Sequence, residues 1–252
     1  MAEQDYRKFK ALDFSGFRRL AADESLSRYE KIGFPDSYRE GKEEAIFADI
    51  CAKATNLNQR ERVVLDIGPG CSGPAQMLVD LCRRNGHHVH LVDSPEMLRL
   101  IPDAPFIEKI AAQFPVDCPD WIQKMNSRLD AIITYSVLQY VYPQGSIFGF
   151  LDSCLRMMAP GGQLLIGDIP NLSKRKRFFS SDRGIRFHQE FMKAPEPPAV
   201  RFNVVEPDEI DDAVVLAILA RARAAGFDAY LLPQPEALPM ANRREDILIT
   251  RP

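Results

Sequence analysis

A glycine-spaced turn carries the clearest sign of ligand chemistry in this chain of 252 residues. Gly68, Gly70 and Gly73 satisfy the spacing G-x-G-x-x-G, and the run 63–67 before them, apolar except for Asp66, is typical of a short buried strand. Backbone can approach a ligand closely only where side chains are missing, so the strand, the turn and the helix that follows predict a nucleotide-type cradle. The spacing alone is a weak signal, because many glycine turns bind no ligand.

Two carboxylates near the turn indicate which ligand it would hold. Asp93 ends the next predicted strand, where an acid can accept two hydrogen bonds from ribose hydroxyls. Asp66 comes just before the glycines, where it would repel the phosphates of a dinucleotide and attract a positive charge. S-adenosylmethionine carries an ammonium and a sulfonium group and no phosphate, so Asp66 favours this cofactor, whereas Asp93 also fits a nicotinamide cofactor. The structural alternatives are an acid at a helix N-terminus for Asp93 and a cap of the turn's backbone amides for Asp66.

Two side chains later in the chain are candidates for proton transfer. Asp168 ends the fifth predicted strand, at the edge where open α/β sheets bind ligands, and is a candidate general base or substrate hydrogen-bond acceptor. His188 is the second candidate, because an imidazole titrates near neutral pH. The alternatives are a turn carboxylate for Asp168 and a solvated loop residue for His188. The other histidines, at 87, 88 and 90, are interpreted as surface residues, and no metal site is predicted.

A basic run after Asp168 is the candidate site for an anionic substrate. Its six cations are Lys174, Arg175, Lys176, Arg177, Arg183 and Arg186. Arg175 and Arg177, with Asn171 before them, are predicted to bind a substrate such as a phosphorylated or nucleotide-linked sugar. The alternative is a solvated loop. Nucleic acid is not predicted as a partner, because the whole chain has a net charge of -3 and the run has few aromatic platforms for bases.

The predicted elements alternate as they do in a parallel α/β sheet. Five strands are predicted, at 63–67, 89–92, 106–110, 131–134 and 163–167. Amphipathic helices are predicted at 43–55, 74–84, near 120–126, at 147–158 and at 210–225. Two last strands, 227–232 and 246–250, have no helix between them, so they predict an antiparallel hairpin.

These segments resemble the class I S-adenosylmethionine-dependent methyltransferases. The stretches that carry the resemblance are 66–70 (DIGPG), Asp93, 130–141 and 158–166. The resemblance implies an α/β, Rossmann-like fold with a seven-stranded, mostly parallel sheet, an antiparallel last strand and helices on both faces. It also implies that the glycine turn contacts the methionine part of the cofactor and that Tyr135 and Ser136 lie near the reacting methyl. The predicted cofactor-binding residues are Asp66, Gly68, Pro69, Gly70, Asp93, Ser94, Tyr135 and Ser136.

A less specific similarity links the chain to small-molecule methyltransferases of bacterial sugar and surface-polysaccharide pathways. It rests on the segments 31–39, 167–171 and 238–246. It implies methyl transfer to an oxygen of a small polar metabolite such as a sugar. The alternatives are an NAD(P)-dependent oxidoreductase and a non-catalytic protein that binds S-adenosylmethionine.

Composition favours one domain over residues 1–252, since the hydrophobic share of 46% is ample for one core. Its predicted parts are an N-terminal cap (1–42), a cofactor-binding half (43–169), a substrate-loop insertion (170–207) and a last helix with the closing hairpin (208–252). Five scattered cysteines without a paired spacing predict reduced thiols. No apolar run nears the ~18 residues of a membrane helix, and the first residues are polar. We therefore expect a cytoplasmic protein with no membrane partner, and the oligomeric state is open.

Overall fold

Buried aliphatic strands build a single sheet of seven strands in this computed structural model, which describes residues 12–252. The strands are β1 Val63–Ile67, β2 His88–Asp93, β3 Ile107–Ala111, β4 Leu129–Tyr135, β5 Met158–Pro170, β6 Asp228–Pro233 and β7 Arg244–Thr250. Their order in the sheet is β3-β2-β1-β4-β5-β7-β6. β1 to β5 are parallel, and β7 is antiparallel to both of its neighbours. The predicted fold class and the closing hairpin are confirmed. Residues 1–11 of the predicted cap lie outside the described part of the chain.

Helices cover both faces of the sheet. They are α1 Phe14–Ala22, α2 Asp36–Arg39, α3 Glu43–Lys53, α4 Gly73–Asn85, α5 Pro95–Leu98, α6 Pro119–Lys124, α7 Leu138–Gln144, α8 Ile147–Met157, α9 Leu172–Phe179, α10 Asp182–Met192 and α11 Asp212–Ala224. Alternate side chains of a strand point to opposite faces. Val64 therefore packs with the α3 and α4 side, while Leu65 packs in the core that contains α8 and α11. Both valine and leucine are fully buried.

The start of α4 shows how the N-terminal region is attached to the glycine turn. Ser72 occupies the N-cap position that the sequence predicts, but its hydroxyl makes no capping hydrogen bond. The carboxylate of Glu43 on α3 accepts instead from the Gly73 backbone N–H, at 2.5 Å. The other oxygen of Glu43 accepts from Arg28 and from the Tyr29 hydroxyl. One carboxylate thus joins the residues before α3 to the first turn of α4.

The segment 170–207 differs from the predicted irregular loop, because it contains the helices α9 and α10. Each helix begins at a residue whose side chain caps it. Asn171 accepts from the Lys174 N–H, and Ser181 accepts from the Gly184 N–H. The sequence analysis did not predict these helices, because their residues are mostly charged or polar and neither helix buries a wide apolar stripe. The capping residues alone were not a sufficient signal.

Two predictions from composition can be compared with the described residues. All five cysteines are free thiols, as expected. No helix within residues 12–252 combines the length and the apolar character needed to cross a bilayer.

Candidate functional site

A cavity of about 300 Å³ lies at the carboxyl ends of β1, β2 and β4. Side chains from α1, α3, α4, α7 and α8 complete its walls, and most of them are apolar or aromatic. Its volume and enclosure are typical of a small-molecule site with a few polar groups. Seven of the eight predicted cofactor-binding residues line it: Asp66, Gly68, Pro69, Gly70, Asp93, Tyr135 and Ser136.

The turn after β1 needs glycine both for its backbone conformation and for space. Gly68 and Gly70 have φ angles of +71° and +63°, in the left-handed region that favours glycine. A Cβ on Gly68 would lie 2.6 Å from the Val137 side chain, and one on Gly70 would lie 2.6 Å from Ile32. The turn therefore brings bare backbone to the cavity wall and leaves room for neighbouring elements above it.

Two carboxylates face the cavity on either side of this turn, Asp66 buried and Asp93 partly buried. Burial raises the pKa of Asp66 to about 8, and the nearby Asp93 carboxylate adds to the shift. Burial also raises the pKa of Asp93, to about 6, although the N–H groups of Ser94 and Gly70 donate to its carboxylate and oppose the rise. A cation or a hydroxyl donor beside such groups would favour their ionised forms. The cavity is thus suited to a ligand that carries positive charge and hydroxyl groups.

Ser94 is the predicted cofactor residue that does not line the cavity. Its side chain is fully buried, and its hydroxyl accepts a hydrogen bond from the Met97 N–H. It is therefore the N-cap of α5. Because Asp93 is the preceding residue, this cap also fixes the position of Asp93.

Arg39 is a buried cation in the cavity wall that the sequence analysis did not identify. One of its Nη atoms donates to Ser136 Oγ at 2.7 Å and to Asp168 Oδ2 at 2.8 Å. Its guanidinium lies 4.1 Å from the centre of the Phe34 ring. Its Nε has no hydrogen-bond partner among the described residues. Arg39, Phe34, Tyr135 and Ser136 all line the cavity, so a cation with an unused donor stands beside its aromatic surface.

Asp168 lies behind this wall and does not line the cavity. Both Asp168 and Ser136 have positive φ angles, and the Ser136 hydroxyl donates to the Asp168 carboxylate. Burial acts to raise the pKa of Asp168, but Arg244 and Arg39 outweigh it and lower the pKa below its ordinary value. Asp246 accepts from the backbone N–H of Asp168 and so supports its conformation. An ionised carboxylate held by two arginines is a weak base, and the geometry fits a positioning role.

The remaining predicted residues lie outside the cavity. His188 is on α10, with its ring 6.1 Å from that of Phe179. Arg175 is exposed, and Arg177 forms an ion pair with Asp212. Asn171 is buried as the cap of α9, and its amide donates to Asp212 and Glu245. None of the predicted basic or imidazole groups therefore faces the cavity in the described structure.

Neither a family model nor a curated protein matches this sequence. Solved structures do match its fold. The carbon methyltransferase CurJ is 16% identical over 98% of this chain and 66% of its own, with a TM-score of 0.56. The N-methyltransferase NodS from Bradyrhizobium japonicum, in complex with S-adenosyl-L-homocysteine, is 13% identical over 95% and 98%, with a TM-score of 0.51.

A third structure extends the comparison to an enzyme with both ligands bound. It is the 1,6-didemethyltoxoflavin-N1-methyltransferase of Burkholderia thailandensis, with bound 1,6-didemethyltoxoflavin and S-adenosylhomocysteine. It is 15% identical over 96% of this chain and 91% of its own, with a TM-score of 0.50. At these identities the likeness defines the fold: the chain has the Rossmann-like fold of class I S-adenosylmethionine-dependent methyltransferases. The narrower similarity to sugar-pathway enzymes stays a prediction.

Proposed function

We propose that this protein is an S-adenosylmethionine-dependent methyltransferase that acts on a small molecule. The observation that carries the proposal is a pair of carboxylates, buried Asp66 and partly buried Asp93, on either side of a bare glycine turn in one cavity. Asp66 discriminates between cofactors, because phosphates beside it would oppose its ionisation, whereas a phosphate-free cation would favour its ionised form. The shared fold of the three methyltransferases supports the same conclusion.

The residues that line the cavity match the chemical groups of S-adenosylmethionine. Asp93 would accept from the ribose hydroxyls, and Asp66 would face the ammonium group. The backbone of Gly68, Pro69 and Gly70 would line the methionine part. When bound, S-adenosylmethionine supplies a methyl group on a cationic sulfur, which an acceptor can take by direct displacement. The protein would contribute alignment and exclusion of water by the aromatic walls.

The acceptor side of the cavity supports a particular class of substrate. Arg39 contributes positive charge to the cavity wall, and Phe34 and Tyr135 offer apolar ring surface. We therefore propose an acceptor that has a flat or apolar part and an anionic or hydrogen-bond-accepting group beside it. Arg39, rather than Arg175 or Arg177, would receive that group.

The reacting atom of the acceptor follows from the bases within reach. An unactivated hydroxyl needs a general base, and Asp168 and His188 both lie outside the cavity lining. The burial of Tyr135 raises the pKa of its phenol further above 10, so this residue is no base at neutral pH. An acidic hydroxyl, which ionises easily, and a neutral nitrogen, which has a free lone pair, depend least on a general base. Of these two acceptor atoms, we propose the oxygen in preference to the nitrogen. The sugar hydroxyl expected from the sequence would also need a general base, so it is the harder acceptor for this site.

Calorimetric titration with S-adenosylhomocysteine tests the cofactor assignment. The wild-type chain should bind it, and Asp93→Asn should weaken binding roughly tenfold to hundredfold, since hydrogen bonds to a charged group contribute about 1.5–3 kcal/mol. Asp103→Asn is the matched control, because the Asp103 carboxylate is exposed and pairs only with Lys109 among the described residues. Binding of NADH or NADPH without binding of S-adenosylhomocysteine would overturn the proposal.

Turnover separates a methyltransferase from a protein that only binds the cofactor. The chain should transfer labelled methyl from S-adenosylmethionine to at least one component of a metabolite extract. Tight binding of S-adenosylhomocysteine with no transfer to any fraction, including planar carboxylic acids and phenols, would support the non-catalytic alternative.

A further inference from the structure

Two histidines and a glutamate lie close together at the edge of the sheet that β3 forms. His88 and His90 are two residues apart on β2, so their side chains share one face of the strand. Glu108 is on the edge strand β3, directly opposite His90 in the parallel register. Sheet geometry therefore places two imidazoles and a carboxylate together.

The distances within this cluster are close to those of a metal site. Glu108 Oε2 lies 3.1 Å from His90 Nδ1 and 3.9 Å from His88 Nε2. The three candidate ligand atoms all lie within 4.8 Å of one another. Ligand atoms that surround a tetrahedral ion at ~2.1 Å are roughly 3.4 Å apart. The side chains of His88 and Glu108 are about half exposed, so small rotations can close the remaining gap.

His90 provides an independent sign that a partner is needed. It is 4% exposed, and its Nδ1 makes no hydrogen bond of acceptable geometry to any described residue, Glu108 included. Buried polar atoms are nearly always paired. His87, equally buried, illustrates the rule, because its Nδ1 accepts from the Arg62 N–H and its Nε2 lies 3.0 Å from the Leu57 carbonyl oxygen. The unpaired nitrogen of His90 instead faces the carboxylate of Glu108.

Packing restricts the position of His90. Its ring packs edge-on against Trp121, at 5.5 Å between ring centres, and this contact limits its rotation.

We propose that His88, His90 and Glu108 bind a divalent transition metal ion, with water completing the coordination. Two imidazole nitrogens and one carboxylate oxygen favour zinc, copper or nickel over magnesium or calcium. The site is separate from the cofactor cavity, since Asp93 lies three residues beyond His90, or ~10 Å along the strand. The ion would join β2 to the edge strand β3, and its role would be to stabilise that edge.

Titration of zinc into the chain without a histidine tag tests this site. The wild-type chain should bind one equivalent, and zinc should raise its melting temperature. His88→Gln and Glu108→Gln should each weaken zinc binding at least about tenfold, because loss of even an outer-shell partner typically costs ~10–100-fold. Both side chains are about half exposed, so both variants should fold and retain their affinity for S-adenosylhomocysteine.

His188→Gln is the control variant, because it removes a histidine from α10, outside the cluster, and should leave zinc affinity unchanged. Copper provides a second readout, since its electron paramagnetic resonance spectrum should show nitrogen ligands in the wild type and lose them in His88→Gln. Three results would overturn the proposal. They are an absence of zinc binding in the wild type, a zinc affinity in both cluster variants equal to that of the wild type, and binding that is lost only when the cysteines are alkylated.

Discussion

Burial raises the pKa of Asp66 to about 8, so we expect its carboxyl to be mostly protonated at neutral pH when the cavity holds no ligand. A bound ammonium group would favour the carboxylate, so cofactor binding should release a proton. We predict that affinity for S-adenosylhomocysteine rises with pH across the range set by the two carboxyl pKa values, about 6 and about 8. The rise should level off near pH 8, where an α-amino group itself loses its charge, with a pKa of ~7.7–8.0. Calorimetry in buffers of different ionisation enthalpy measures both the affinity and the proton release.

Asp66→Asn provides the control for this pH dependence. The variant should bind more weakly and should lose the part of the rise that lies above pH 6, which Asp93 does not supply. The same proton release in the variant and in the wild type would show that Asp66 does not face the bound ammonium.

Asp168 is the shared counterion of two buried arginines, Arg39 and Arg244. We predict that Asp168→Asn lowers the free energy of unfolding by about 3 kcal/mol, because loss of one partner leaves buried charge uncompensated. Urea unfolding measures the change. Asp152→Asn is the matched control, since Asp152 pairs with an exposed arginine and its loss should matter little. Equal stability of the two variants would contradict the assigned role of Asp168.

At the scale of elements, one side chain connects the N-terminal helices to the glycine turn. Glu43 on α3 accepts hydrogen bonds from Gly73, Tyr29 and Arg28. Glu43→Ala leaves a helix N–H without its acceptor, so we predict a loss of about 1–3 kcal/mol in the free energy of unfolding. The exposed neighbour Glu44, replaced in the same way, is the control.

Affinity provides the second readout for Glu43. Since the turn that starts at Gly68 ends at Gly73, Glu43→Ala should also weaken the binding of S-adenosylhomocysteine, and Glu44→Ala should not. A variant with unchanged stability and affinity would show that the Gly73 N–H does not depend on this carboxylate.

At the scale of the whole molecule, the N-terminal helices close a cavity whose floor is the sheet. Phe14 and Phe17 of α1 line the cavity, and Arg18 of the same helix pairs with Glu96 on α5. We predict that S-adenosylhomocysteine slows amide hydrogen exchange in α1, because a ligand in the cavity stabilises the closed arrangement. Exchange measured by mass spectrometry should change little in α10, which lies outside the cavity. Equal changes in both helices, or none in α1, would contradict this.

The fold and the cofactor side of the site were predictable from short stretches. The strand and the turn lie in one contiguous stretch, from Val63 to Gly73. Its strand pattern and the spacing of its glycines therefore predict both elements directly. Asp66 and Asp93 end neighbouring parallel strands, and such ends meet at one edge of a sheet. Their closeness to each other therefore follows from the strand pattern alone.

The acceptor side depended on contacts that no local pattern reports. Arg39 precedes Ser136 by 97 residues and Asp168 by 129, and only packing of the N-terminal helices over the sheet brings them together. Asp168 was expected at the end of a strand, but β5 continues to Pro170, and the surroundings of Asp168 are set by the two arginines around it. Arg175 and Arg177 follow Asp168 closely in sequence, yet α9 directs them away from the cavity.

The sequence by itself determined the sheet, the glycine turn and the positions of the two acids that we propose to bind the cofactor. Each of these rests on the period of a strand or on the conformation of a few adjacent residues. The tertiary structure alone decided which charged groups reach the cavity, because burial and the ion pairs of Arg39 and Asp168 arise from segments far apart in the chain. It also decided the closeness of His88, His90 and Glu108, since that depends on the register between two strands.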